Sequence, residues 1–142
     1  MYFLSVVECK SCHRTIWLPP PVQSELAPRQ SPWRWGSNAR NIACLACKFV
    51  FEYEAGDCRW EQLRLHQVEV AQELASHLLI LPCGAEQCEG QIRIFVFAKR
   101  GLPAEEATEI AASLFARGIQ CGKGHRSTGI SAGVSSMTIE EF

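Results

Sequence analysis

The spacing of the cysteines is the feature that most constrains what this chain of 142 residues can fold into. Eight cysteines occur, and six of them form three close pairs, two with C-x2-C spacing and one with C-x4-C spacing. Cysteines paired in this way are typical of metal sites in reduced compartments, where structural disulfides are rare. The sequence therefore predicts that most of these cysteines bind metal.

The candidate metal ligands fall into two sets of four. The first set is Cys9, Cys12, Cys44 and Cys47, and the second set is Cys83, Cys88, Cys121 and His125. The two pairs are separated by 31 residues in the first set and 32 in the second, and corresponding members lie 74 to 78 residues apart. Apolar stretches precede and follow the first pair of each set. This correspondence indicates an internal duplication.

The ligand types favour zinc in both sets. Zn2+ prefers four tetrahedral nitrogen or sulfur ligands, and a site filled by four protein ligands is structural, because catalytic zinc keeps one position open. We therefore expect two Zn2+ ions per chain that contribute to folding. Iron is the alternative metal for the first set, since tetrahedral sulfur sites also hold iron, whereas the histidine of the second set fits zinc better.

These two sets resemble the zinc-ribbon class, in which two cysteine knuckles are mounted on a small β-sheet. The resemblance covers the knuckles and their flanking strands rather than the whole chain. Many ribbon knuckles place glycine after the second cysteine, whereas His13 and Lys48 follow it here, and the turn at 83–88 is two residues longer than usual. Zinc ribbons serve transcription, translation, enzymes and protein docking, so the resemblance implies a structural metal site without choosing a function.

The periodicity of the chain predicts an α+β fold made mostly of small antiparallel sheets. Two tandem zinc-ribbon-like units are expected at 1–58 and 77–128, joined by a connector at 59–76 and followed by a mobile tail at 129–142. Alternating or apolar segments predict strands at 3–8, 15–18, 48–54, 77–82 and 91–98. The 59–75 segment is ambiguous, and its pattern slightly favours a strand followed by a connector.

One helix is predicted in the second unit, over 103–117. Pro103 suits a first helical position, and Glu105 and Glu106 would lie in the first turn, where the helix dipole favours anions. The apolar side chains that share one helical face are Ala107, Ile110, Ala111, Leu114 and Phe115. The first unit has a loop rich in proline, serine and arginine at 19–40 in the corresponding place.

That loop contains a mixed aromatic and basic segment at 29–40. Trp33 and Trp35 stand among Arg29, Arg34 and Arg40. Such a segment can stack bases and neutralise phosphates, or contact a protein partner. The favoured interpretation is that the tryptophans anchor a surface loop to the fold. The first fifty residues carry a net charge of +4, which four zinc-bound thiolates would reduce.

The amino-terminal segment, the apolar runs and the net charge indicate where the protein is located and what it binds. The segment MYFLSVVECK has no basic stretch before its first polar residues, unlike a signal peptide. Runs of large apolar residues are short, so none is expected to span a bilayer. The expectation is a cytoplasmic protein without membrane association, and a net charge of −1 argues against a general nucleic-acid coat.

Two groupings of reactive side chains are interpreted as non-catalytic. The carboxylates at 105–109 suit a solvated helix start, and Cys58 with His66 lacks a third, orienting group. We therefore expect no enzyme activity. The leading hypothesis is a zinc-binding adaptor with a protein partner. The alternatives are a nucleic-acid-binding ribbon that uses the 29–40 loop, and a rubredoxin-like iron protein that carries electrons.

Overall fold

The structure, a computed structural model, describes residues 1–82, 91–120, 126–127 and 137–142. The strands are β1 (Tyr2–Glu8), β2 (Thr15–Gln23), β3 (Arg40–Ala43), β4 (Val50–Tyr53), β5 (Cys58–Leu63), β6 (Leu74–Pro82), β7 (Gln91–Lys99), β8 (Ile119–Gln120), β9 (Arg126–Ser127) and β10 (Thr138–Glu141). The helices are α1 (Leu65–Gln72) and α2 (Ala104–Arg117). The predicted α+β class with mostly antiparallel strands is confirmed.

The amino-terminal sheet has three antiparallel strands in the order β2-β1-β5. Alternate side chains of a strand point to opposite faces, and the central strand β1 has apolar side chains on both faces. Leu4 and Val6 pack with Val68 and Ala71 of α1 on the outer face. Val7 lies in a different cluster, between this sheet and the second one. The sheet is therefore covered on both faces.

The second sheet has five strands in the order β10-β6-β7-β3-β4. All of its pairings are antiparallel except β3 with β7, which run parallel and meet at Ile42 and Phe95. One face of β6 and β7 packs against α2, whose buried side chains are Ala107, Ala111, Leu114 and Phe115. The opposite face carries Phe95 and Phe97 toward the amino-terminal sheet. The described layers thus run helix, sheet, sheet, helix.

Helix α2 forms where the sequence predicted it. Pro103 has extended backbone and precedes the first helical residue, and Gly118 ends the helix with a φ of 92°. The predicted apolar face is the buried face, with Ile110 partly buried beside it. Because burial of one large apolar side chain contributes about 1.5–3 kcal/mol, this face accounts for much of the attachment of α2 to the sheet.

Two elements differ from the sequence expectations. Helix α1 lies where a connector was favoured, because Val68 and Ala71 have helical spacing and fit against the amino-terminal sheet. Strand β2 continues through the three prolines that predicted a loop, to Gln23. It can do so because β2 is an edge strand with an irregularity opposite Phe3 and Ser5, and prolines are tolerated at edges and bulges.

The five-stranded sheet combines strands from both of the predicted ribbon units. Strands β3 and β4 from the first unit lie beside β6 and β7 from the second. Strand β5, which begins at the predicted boundary, pairs with β1. Within the predicted tail, residues 138–141 form β10 and pair with β6. Long-range strand pairing of this kind follows from shared burial, which a local pattern does not specify.

Candidate metal centre

The first cysteine knuckle lies in the turn that joins β1 to β2. Strand pairing ends at Glu8 and Thr15, and the chain reverses between them. The backbone N–H of Cys9 donates to the Arg14 carbonyl at 2.9 Å, and the N–H of His13 donates to the Cys9 carbonyl at 3.0 Å. These two bonds hold the turn that presents Cys9 and Cys12 on the same side.

The second knuckle repeats this geometry between β3 and β4. Strand pairing ends at Ala43 and Val50. The N–H of Cys44 donates to the Phe49 carbonyl at 3.0 Å, and the N–H of Lys48 donates to the Cys44 carbonyl at 2.8 Å. The two knuckles therefore have the same pattern of backbone hydrogen bonds, although their intervening residues differ.

The residue after each second cysteine has left-handed backbone. His13 has a φ of 63° and Lys48 a φ of 66°. A side chain in this region is strained by its own Cβ, which is why glycine is preferred there. The departure from the usual ribbon sequence is thus a change of residue without a change of backbone conformation. The rest of each knuckle must hold these two residues in place.

The two knuckles bring four sulfurs together. The Sγ atoms of Cys9, Cys12, Cys44 and Cys47 all lie within 4.8 Å of one another. The Cys9–Cys47 and Cys12–Cys44 separations are both 3.6 Å. A tetrahedron with Zn–S bonds of about 2.3 Å has sulfur–sulfur edges of about 3.8 Å. Separations of 3.6 Å are far too long for a disulfide, and the cysteines are free thiols. This cluster can hold a metal ion.

Burial and backbone donors set the ionisation of the sulfurs. Burial raises the pKa of the Cys9 thiol, but hydrogen bonds from the N–H groups of Cys12 and Ser11 and from the neighbouring thiols lower it by more. The net result is a pKa of about 7, below the ordinary value for cysteine. Burial and the side chains of Cys12 and Cys47 raise the pKa of Cys44 to about 12, against the N–H groups at 46–47. Without a cation, the cluster therefore stabilises one thiolate more easily than several. A bound cation removes this limit, because it favours deprotonation of each coordinating thiol.

Tyr53 lies next to the first cysteine knuckle. Its side chain is 1% exposed, and its hydroxyl oxygen accepts a hydrogen bond from the Lys10 N–H at 3.2 Å. Burial and the nearby Cys9 side chain raise the pKa of Tyr53 to about 12, so the hydroxyl keeps its proton near neutral pH. Sequence reasoning missed this residue, although its inward position in the alternating β4 pattern was a usable signal.

The second predicted set, Cys83, Cys88, Cys121 and His125, lies outside the described residues. The two-site arrangement and the internal duplication stay predictions. Strand pairing does reach the edges of both segments. Pro82 pairs with Gln91, and Gln120 pairs with Arg126. Each predicted pair of the second set is thus flanked by antiparallel strands, as in the first set.

The tryptophan and arginine residues of the 29–40 segment have different environments. Trp33 is 4% exposed, and its Nε1 donates to the Asn38 carbonyl at 3.0 Å. Arg34 donates to the carbonyls of Pro19 and Leu18 at 2.6 and 2.7 Å. Through these contacts Trp33 and Arg34 anchor the loop, whereas the interpretation from the sequence assigned that part to the two tryptophans. Arg29 is exposed at the end of a short 3-10 helix.

Trp35 and Arg40 instead line a cavity of about 260 Å³. Other side chains around it are Asn41, Arg93 and Phe95. The rings of Trp35 and Phe95 have centroids 5.0 Å apart. Arg93 and Phe95 were not among the predicted site residues, because they lie on β7, more than fifty positions along the chain from this loop.

Other candidate side chains lie apart from the cluster. The exposed His13 places its Nδ1 3.2 Å from Glu8 Oε1 and is not a member of the sulfur cluster. Burial raises the pKa of Cys58, which is a half-buried thiol of β5. The three glutamates at 105–109 are exposed on α2. Neither Cys58 nor these glutamates belong to the cluster of four sulfurs.

Comparisons with protein-family models, curated proteins and solved structures found no match to this chain. None of the described helices is long and apolar enough to cross a membrane.

Proposed function

We propose that this chain is a zinc-binding structural protein of zinc-ribbon type, with Cys9, Cys12, Cys44 and Cys47 as the ligands of one closed site. The observation that carries the proposal is the convergence of four free thiols within 4.8 Å from two knuckles of equal backbone geometry. Tetrahedral coordination by four thiolates is the arrangement typical of structural zinc. The ion would join the β1–β2 turn to the β3–β4 turn.

A closed site favours a structural role over catalysis. Four protein ligands leave no coordination position for water or substrate. The ligands come from the two different sheets, so the ion would fix how these sheets lie against one another. The role proposed for the whole chain is that of a non-enzymatic adaptor in the cytoplasm. In such a protein the metal maintains the surface that a partner recognises.

A second Zn2+ bound by Cys83, Cys88, Cys121 and His125 is part of the proposal. It is supported by the ligand spacing and by the antiparallel strands that flank both segments. Iron in the first site is the alternative, since four thiolates also suit a rubredoxin-like centre. An iron site would predict a coloured protein and electron transfer instead of an adaptor role.

Elemental analysis combined with native mass spectrometry tests these proposals. Protein purified without added metal is expected to contain zinc and to be colourless. Two ions per chain support both sites, and one ion supports only one. Iron at stoichiometric amounts, or no bound metal under non-denaturing conditions, contradicts the zinc proposal.

Matched cysteine variants assign the ions to their ligands. Cys47→Ser is expected to reduce the zinc content by one ion per chain, because it removes a ligand of the first site. Cys58→Ser removes a thiol of β5 outside the cluster and is expected to leave the content unchanged. Equal zinc content in the two variants would show that the first set does not bind the ion.

A further inference from the structure

The cavity beside Trp35 combines an aromatic surface with two positive charges. It is lined by half-buried Trp35, by Phe95, which is 9% exposed, and by Arg40 and Arg93. None of the described residues that line it is acidic. The cavity is thus built for a ligand that has a planar apolar part and an anionic part.

Both guanidinium groups are bonded to neutral oxygens. Arg40 donates to the Ala39 carbonyl at 3.0 Å, and Arg93 donates to Gln91 Oε1 at 3.2 and 3.4 Å. Within the described part of the chain, neither guanidinium forms an ion pair with a carboxylate. No described carboxylate neutralises their charge, which makes the two groups candidates to bind an anion. Guanidinium groups bind phosphate through paired, charge-assisted hydrogen bonds.

The aromatic side chains are held in fixed positions by the fold. Trp35 packs edge-on against buried Trp33 at a centroid distance of 4.7 Å and also contacts Phe95 on β7. Phe95 lies opposite Ile42 of β3, and Arg40 stands two positions before Ile42 on the same strand. The loop and the sheet thus place the rings and Arg40 together before any ligand binds.

The size of the cavity restricts the ligand. Sites for drug-sized molecules span about 300–1,000 Å³, so a cavity of 260 Å³ suits a single small planar group. Asn41 adds a side-chain amide to the lining, and its Nδ2 donates to the Arg93 carbonyl at 3.3 Å. The amide oxygen can accept a hydrogen bond from a polar ring edge.

We propose that this cavity binds one nucleotide unit, with its base against Trp35 and Phe95 and its phosphate at Arg40 and Arg93. Base–aromatic stacking tolerates any base, and two guanidiniums match the charge of a phosphate. A free mononucleotide and one residue of a single-stranded nucleic acid share this chemistry. The proposal uses side chains outside the metal cluster and does not depend on which ion that cluster holds.

Titration calorimetry on the full, metal-loaded chain tests the proposal. The probes are adenosine 5′-monophosphate, ribose 5-phosphate and a single-stranded oligoadenylate of about ten nucleotides, a length within the usual site sizes of single-strand binding folds. Measurement begins at about 50 mM salt, where phosphate contacts are strong, and is repeated at about 200 mM. Binding of the nucleotide at least about tenfold tighter than ribose 5-phosphate is expected from stacking.

Two arginine variants and one matched control locate the site. Arg40→Gln and Arg93→Gln are each expected to weaken binding about tenfold or more, since each removes a charge-assisted contact. Arg29→Gln removes a charge from the same loop outside the cavity and is expected to leave affinity within about twofold. Thermal melts and zinc content, measured on the same samples, establish that each variant is folded and loaded.

Each outcome decides the proposal. Mononucleotide binding with this pattern of variants supports it with a free nucleotide as ligand. Oligonucleotide binding with the same pattern but weak mononucleotide binding supports it with single-stranded nucleic acid as ligand. Absence of binding to both probes at low salt overturns it. Equal weakening by Arg29→Gln also overturns it, because the attraction would then be general. A zinc-loaded protein that fails this test leaves the metal proposal intact.

Discussion

The Sγ atoms of Cys9 and Cys47 lie 3.6 Å apart although the residues are 38 positions apart in the chain. One belongs to a turn of the amino-terminal sheet and the other to a turn of the five-stranded sheet. This contact crosses the boundary between the two sheets. The cysteine cluster, a candidate metal site, is therefore also a junction between the two sheets.

Removal of the metal is expected to destabilise the whole chain. Zinc binding contributes about 10–16 kcal/mol in small zinc-finger peptides, which is comparable to the net stability of a domain, about 5–15 kcal/mol. Circular dichroism and thermal melting with a strong chelator should show loss of the cooperative transition. Addition of Zn2+ in excess should restore it. An unchanged melting temperature in metal-free protein would contradict a structural role for the ion.

Lys48→Gly is expected to raise stability. Lys48 has a φ of 66°, and relief of left-handed strain at a non-glycine residue is worth about 1–2 kcal/mol, less the entropy that glycine adds to the unfolded chain. The net gain should be about 0.5–1 kcal/mol in urea unfolding of the zinc-loaded protein. Lys48→Ala is the control, since it removes the same amine but keeps the Cβ. A gain of equal size in both variants would assign the effect to charge instead.

Tyr53→Phe is expected to weaken metal binding. The Lys10 N–H loses its acceptor, and the hydroxyl beside Cys9 is removed from a side chain that is 1% exposed. Loss of such supporting contacts lowers metal affinity by about 10–100-fold. Competition with a chromophoric zinc chelator measures the change. Tyr2→Phe, in the half-buried first residue of β1, should have no effect, and an equal affinity in both variants would exclude a supporting role for Tyr53.

Leu114→Ala is expected to cost about 2–5 kcal/mol of unfolding free energy. Leu114 is 0% exposed in the cluster between α2 and the five-stranded sheet, and truncation of a buried leucine leaves a cavity. Leu65→Ala is the matched control, because Leu65 is 84% exposed at the start of α1 and should change stability by no more than about 0.5 kcal/mol. Similar losses in the two variants would show that α2 does not pack as described.

Local sequence patterns predicted much of the secondary structure. The 103–117 prediction matched α2 within one residue, because its apolar spacing and end signals act within a few turns. The strand expectations around β1, β4, β6 and β7 rested on alternation or on apolar runs, which are also short-range. Helix α1 was missed because its eight residues bury only Val68 and Ala71, too few for a clear period.

The loop at 29–40 also shows what a local pattern predicts and what it leaves open. Its composition indicated that tryptophan and arginine act together, but composition does not say which side chain is covered. Packing decided that Trp33 is buried and that Trp35 lines a cavity with Phe95. The identity of Arg93 as a neighbour of Arg40 required the parallel pairing of β3 with β7.

The sequence by itself determined the ligand types, the knuckle spacing and the periodicity of most elements, because these depend on residues a few positions apart. The sequence also grouped Cys9 and Cys12 with Cys44 and Cys47, but only the tertiary structure decided how closely these sulfurs meet and that Trp35 and Arg93 line one cavity. Those meetings depend on which strands pair and which apolar faces cover each other. Such choices are made by burial summed over the whole chain, and no short segment encodes them.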